Sequence, residues 1–201
     1  NFGNNTITKT GTRSATFIAK YDSSGTDLWA KFSTANSDDY GAGITSDNFG
    51  NFYLTGGFSS SLISFGTSSF PGNNIESMYL IKFDSNGDVL WGLSKENALG
   101  QKMHVDSQNN LFLTGRYTSS ITFGTNTHVT NGGYDPFLVK FDSSGQVQWS
   151  TSFGGNDDDS FSGIDINENH DIYLSGSFKS NVLSLTTNTL INNGLGDAFL
   201  L

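Results

Sequence analysis

The side chains in this sequence best suited to chemistry are carboxylates gathered on loops. Asn36-Ser37-Asp38-Asp39 follows Trp29, and Gly154-Gly155-Asn156-Asp157-Asp158-Asp159 follows Trp149. Oxygen-rich loops of this kind suit Ca²⁺, which takes roughly six to eight oxygen ligands. Asp38, Asp39, Asp157, Asp158 and Asp159 are therefore the candidate ligand-binding residues. The sequence demands no cofactor, and calcium is the one these loops would take. Their matching positions also support a second reading, in which the Asp side chains hold turns between structural units. Asp84-Ser85-Asn86-Gly87-Asp88 resembles the start of a calcium loop, but its Gly falls two positions early and Lys95 stands where the closing Glu belongs.

Other chemistries find no residues. His104, His128 and His170 occupy unrelated positions, so nothing gathers them around zinc. The chain has no Cys, which excludes disulfides, thiolate catalysis and Cys-ligated metal. No nucleophile elbow, phosphate loop, His-Glu-x-x-His or dinucleotide fingerprint is present. Nothing singles out a pair of acids for glycoside hydrolysis. No catalytic residue is assigned, and the chain reads as a non-enzyme.

The composition narrows the partners. Nineteen acidic against ten basic residues give a formal charge of −9. A nucleic-acid phosphate backbone would be repelled, and an acidic surface does not dock on anionic lipid. No apolar run approaches the roughly 20 residues of a membrane span. Charged residues make up only 14%, so Ser, Thr, Asn and the 24 Gly must supply the polar surface and the turns. Absence of Cys together with this composition fits an extracellular or cell-surface bacterial protein.

The elements that would position the loops repeat along the chain. Phe17-Ile18-Ala19-Lys20-Tyr21-Asp22-Ser23-Ser24-Gly25, followed by Trp29, returns at Tyr79 to Gly87 with Trp91 and at Phe137 to Gly145 with Trp149. A further copy starts at Phe199, so the period is about 60 residues. The repeat positions are Lys20, Asp22, Gly25 and Trp29; Lys82, Asp84, Gly87 and Trp91; and Lys140, Asp142, Gly145 and Trp149. A second motif, Asp47-Asn48-Phe49-Gly50-Asn51-Phe52-Tyr53-Leu54-Thr55-Gly56, recurs from Asp106 and from Asn167. A third, Ser64-Phe65-Gly66, recurs at Thr122-Phe123-Gly124, matches Asn1-Phe2-Gly3 and degrades to Ser184-Leu185-Thr186. Asn4-Asn5-Thr6 is a lone glycosylation sequon.

These motifs predict strands and tight turns. In 17–21 alternate residues point to opposite faces, and both faces carry apolar side chains, as in a strand sandwiched between sheets. Asp22 should accept turn N–H groups, with Gly25 in the left-handed region. Gly50, Asn109 and His170 are equivalent and tolerate φ > 0. One repeat would hold strands at 17–21, 27–32, 42–46 and 51–58, with a long Gly/Asn-rich connection to the next. Lys20, Lys82 and Lys140 are expected along the sheet with the ammonium at the rim, near Asp22, Asp84 and Asp142. The repeat-equivalent Trp residues read as packing between units; their alternative use is a ring of aromatics for glycans.

The string "aromatic-x-x-Lys-aromatic-Asp-x-x-Gly…Trp", then "Asp-x-x-Gly-Asn-x-Tyr-x-Thr-Gly", then "Phe-Gly", resembles the SBBP family of bacterial β-propeller repeats across nearly the whole chain. The resemblance implies an all-β fold of about three four-stranded antiparallel blades, part of a larger closed propeller. Residues 1–201 then form a partial propeller, with repeats at about 1–63, 64–121 and 122–183, and 184–201 opening another. A ring needs four to eight blades in typical cases, so the sequence reads as a segment of a longer polypeptide, or as one of several chains that assemble a ring. The expected role is a non-catalytic module of an exported or cell-surface protein, presenting loops to a protein partner, to other domains of its own chain or to an adhesion target. A carbohydrate-binding propeller, with or without calcium, is the alternative, and a fragment of a larger secreted enzyme the third reading.

Overall fold

A computed structural model describes residue 8, residues 13–185 and residues 188–201. The Asn1-Phe2-Gly3 motif, the sequon at Asn4 and Thr186 lie outside the described residues.

The described residues form twenty strands. The first group is β1 (Phe17–Tyr21), β2 (Asp27–Phe32), β3 (Thr34–Ala35), β4 (Asp39–Ser46), β5 (Phe52–Phe58), β6 (Leu62–Phe65) and β7 (Ser68–Pro71). There follow β8 (Ser77–Phe83), β9 (Val89–Glu96), β10 (Ala98–Val105), β11 (Leu111–Tyr117), β12 (Ser120–Phe123) and β13 (Asn126–Val129). The last are β14 (Asp135–Phe141), β15 (Val147–Ser152), β16 (Asp159–Ile166), β17 (Ile172–Phe178), β18 (Val182–Ser184), β19 (Thr189–Ile191) and β20 (Asp197–Leu200). All named pairings are antiparallel, and the main sheets run β4-β5-β8-β9, β10-β11-β14-β15 and β16-β17-β20, beside the pair β1-β2.

The expected turns are present. Gly25, Gly87 and Gly145 have φ of 83°, 77° and 88°, and Gly50, Asn109 and His170 have 80°, 63° and 66°. Asp84 Oδ1 accepts the N–H groups of Asn86 and Asp88, both at 2.9 Å, and Asp22 and Asp142 do the same in their turns.

Two features differ from the expectation. Strands 42–46 and 51–58 do not complete the sheet of β1 and β2; they pair with each other, and 51–58 joins the sheet of β8 and β9 by pairing with β8. Each main sheet thus joins the second hairpin of one sequence repeat to the first hairpin of the next. The crossover is pinned by buried Asp39, whose carboxylate accepts Thr16 N–H at 2.6 Å and the Ser33 hydroxyl at 2.5 Å, both groups lying beside the previous sheet. The Gly/Asn-rich connections, moreover, contain hairpins: β6-β7, β12-β13 and β18-β19. In the first two the turn is the Phe-Gly step, which the third lacks. Gly66 and Gly124 turn the chain at φ of 59° and 58°, and alternate residues then point inward. Ile63, Phe65, Ile121, Phe123 and Leu183 are buried as a result.

The cores lie between successive sheets. One joins Ile18 to Leu54, Tyr79, Ile81 and Phe83, with Phe65 and Phe70 wedged in from the hairpin. The next joins Tyr53, Met78 and Leu80 to Leu113, Val139 and Phe141, with Ile121 and Phe123 between them. The third joins Phe112 and Leu138 to Phe161, Leu174 and Phe199, with Leu183. Burial on both faces accounts for apolar runs such as Met78-Tyr79-Leu80-Ile81. The motif glycines answer to the same packing. Gly56, Gly115 and Gly176 lie opposite Tyr79, Phe137 and Phe199 in the ladder, and a Cβ at any of them would overlap a neighbouring strand's carbonyl.

Candidate functional site

The repeat lysines and tryptophans act between sheets. Tyr53, Lys82 and Trp91 are ladder neighbours and form one row across their sheet. Phe112, Lys140 and Trp149 form the matching row. Lys82 Nζ stands 4.9 Å from the centre of the Tyr53 ring, and Lys140 Nζ 5.0 Å from that of Phe112. The lysines then reach forward to the next Asp-Ser-x-Gly turn. Lys20 Nζ donates to Ser85 O at 2.8 Å, and Lys82 Nζ to Ser143 O at 3.1 Å. Trp29 packs on Gly87 and Trp91 on Gly145. Each turn needs a glycine for its positive φ, and the bare backbone also gives the indole a flat seat.

The expected location of the ammonium is corrected at Lys82. It does not sit at the rim beside Asp84. Its side chain is 6% exposed, and it pairs at 3.0 Å with Asp47, whose side chain is fully buried. Burial pushes Asp47 upward, but Asn51, Lys82 and the N–H groups of Phe49 and Asn51 outweigh it and hold the carboxyl below its ordinary range. Burial pushes Lys82 down, and Tyr53 and Asp47 more than restore it. Sequence spacing could not pair these residues, because Asp47 reaches Lys82 from a different hairpin.

The acidic candidates separate into two kinds. Asp39 and Asp159 are buried at equivalent places. Asp159 accepts the Ser180 hydroxyl at 2.7 Å and the N–H groups of Lys179 and Ser180. Asp38 and Asp158 are half-exposed. Asp38 accepts Ser14 N–H at 2.6 Å and pairs with Arg13; Asp158 accepts Tyr134 N–H at 3.0 Å and pairs with Lys179. The backbone N–H is the main cause that lowers both carboxyls. Exposed Asp157 accepts the N–H of Asp158 at 2.7 Å. Among the described residues, no three His, Asp or Glu side chains are placed to hold a metal ion.

The second acidic loop also faces Asp135, which its sequence position did not mark. Asp135 is buried, its Oδ1 has no hydrogen-bond partner, and Gly154 packs directly on its carboxyl group. Burial, with the charge of Asp159 added, raises it to about 6 against the N–H groups of Asn131 and Gly155. A polar cluster beyond the repeat motifs lies nearby. Tyr134 and Glu76 hold equivalent places in successive repeats, and the Tyr134 hydroxyl donates to Glu76 Oε2 at 2.9 Å. The Arg116 guanidinium stacks 4.2 Å above the Tyr134 ring.

No family model matches the chain. It is 27% identical over 148 residues, 66% of its own length, to a protein described as "Uncharacterized WD repeat-containing protein L264" of Acanthamoeba polyphaga mimivirus. It spans 11% of that relative's length. Tandem antiparallel sheets, cores between consecutive sheets and similarity to a WD repeat-containing protein agree: this is an all-β chain of β-propeller blades.

Proposed function

We propose that the chain is a non-catalytic interaction module, with SBBP-type repeats, that binds a protein partner through the exposed end of its hairpins. Its setting in this reading is extracellular or at a cell surface, supported by the low content of charged residues and the Ser/Thr/Asn/Gly-rich composition of the chain. The observation that carries the reading is a repeated apolar rim. Leu62 lies opposite Pro71, Ser120 opposite Val129 and Val182 opposite Ile191, one pair per hairpin. Leu62, Val129, Val182 and Ile191 are all exposed, and the following loops add exposed Ile75 and Leu195. Apolar side chains repeated on one face of a repeat protein suit a partner surface. The residues that recur most strictly are engaged otherwise: Asp22, Asp84 and Asp142 hold turns, and Lys20, Lys82, Trp29 and Trp91 hold the next blade. A ring of tryptophans for glycans is therefore the weaker reading.

The test is a peptide library displayed on phage and panned on the immobilised chain. Enriched peptides should bind at least ten-fold more weakly to a Val129→Asp, Ile191→Asp variant. Failure to enrich any sequence, or peptides indifferent to both changes, overturns the reading.

A further inference from the structure

The strands β4, β10 and β16 begin the three main sheets and lie side by side. They enclose a cleft of about 530 Å³, lined by Tyr40, Gln101, Lys102, Arg116, Ser160 and Ser162 among others. Each strand carries a β-bulge at the same place, between Gly41 and Gly43, Gly100 and Lys102, and Phe161 and Gly163. Bulges re-aim side chains, and the extra residues Ala42, Gln101 and Ser162 all border this cleft.

Two groups in the wall lack partners. Gln101 Oε1 and Arg116 Nε are both buried without a hydrogen bond. Apart from its stacking on Tyr134, Arg116 makes no hydrogen bond or ion pair among the described residues. Its equivalents in the neighbouring sheets are Gly57 and Ser177, so the fold does not call for a cation at this position. A half-buried guanidinium with no carboxylate at contact distance is costly, and Asp158 is near enough only to feel its charge through space. A buried donor and a buried acceptor left open together specify an occupant that supplies the opposite of each.

We propose that this cleft binds the side-chain carboxylate of an aspartate or glutamate in a partner polypeptide. The carboxylate accepts from the Arg116 guanidinium, a charge-assisted bond that this group makes well, with a side-chain turn that opens the enclosed Nε and Gln101 Oε1 to the cleft. A backbone N–H of the same segment donates to Gln101 Oε1. A free carboxylate ion supplies only the first of these. Lys102 adds a second positive charge to the lining. With −9 on the chain, the acidic residue must arrive on a segment that is otherwise neutral or basic. This inference concerns the inner strands and stands apart from the apolar rim.

The chain has only two arginines, Arg13 and Arg116, so a nitrogen-15 NMR spectrum of Arg side chains holds two Nε–H signals. The Arg116 signal is the one lost in Arg116→Ser, a change to the residue the next blade already carries. Acetyl-Gly-Ser-Asp-Ser-Gly-amide titrated into the full chain should move the Arg116 signal and leave that of Arg13 in place. The Asn counterpart should bind at least ten-fold more weakly. Arg116→Ser should lose binding at least ten-fold, while the Val129→Asp, Ile191→Asp variant keeps it. The proposal is overturned if millimolar Asp peptide leaves Arg116 unmoved, if the Asn peptide binds equally well, or if galacturonate binds more tightly than the peptide.

Discussion

Lys82 Nζ lies 3.0 Å from Asp47 Oδ2, and the pair is enclosed where one blade meets the turn of the next. Removing one member of a buried pair strands the other, which costs about 3–5 kcal/mol. Asp47→Ala should lower stability by about that amount. Replacing both residues, as in Asp47→Asn with Lys82→Met, should cost distinctly less. Urea denaturation of the three proteins checks this ordering. The pH signature has two limbs. Asp47 is lowered in the folded state, so its contribution is present above the ordinary carboxylate value and is lost as pH falls through the folded one. Lys82 is raised, so its contribution is lost as pH climbs through its folded value on the alkaline side.

Asp135 behaves in the opposite sense. Its folded pKa of about 6 stands above the ordinary 3.8, so the folded state holds its proton longer than the unfolded state. Its ionisation therefore costs stability, increasingly from about pH 4 to pH 6 and constantly above. Asp135→Asn should stabilise the chain at pH 7.5 by about 1–3 kcal/mol. At pH 4 the difference should be near zero. Melting curves at the two pH values check this, and a gain of the same size at both would refute the assignment.

Gly115 sits between the Leu99 carbonyl and the Phe137 ring, with no space for a methyl group. Gly115→Ala should cost more than about 3 kcal/mol, because the obstacle is backbone and an aromatic ring, neither of which yields. Gly194 has nothing within 4 Å, so Gly194→Ala should change stability by less than about 0.5 kcal/mol. Thermal unfolding of both variants gives the comparison.

Trp91 covers Gly145 of the next turn, but its Nε1 is buried without an acceptor. Trp91→Phe should therefore be tolerated within about 1.5 kcal/mol, since it keeps most of the ring and removes an orphaned donor. Trp91→Ala opens a cavity between blades and should cost about 3–5 kcal/mol. Denaturant midpoints of the two variants decide it.

What the sequence determined by itself was local or periodic. An Asp three residues before a Gly specifies its turn whatever surrounds it, and the chain repeats that unit about every 60 residues. Left-handed residues at Gly50, Asn109 and His170, the strands they join and the all-β architecture could be read on that basis. The hairpins β6-β7 and β12-β13 were announced by Phe65-Gly66 and Phe123-Gly124, yet a Gly/Asn-rich surrounding masked their short apolar alternation. Tertiary structure alone decided the partners. Asp47 meets Lys82, Glu76 meets Tyr134 and Asp135 faces Asp159 because separate hairpins are brought together across and between sheets. Spacing along the chain carries no information about such pairs. The acidic loops show the same limit. Their composition suggested one carboxylate cluster, but strand alternation buries Asp39 and Asp159 and leaves Asp38 and Asp158 half in solvent. Arg116 was silent in the sequence for a related reason: it matters because three bulged strands converge on it, and convergence is a property of the folded chain alone.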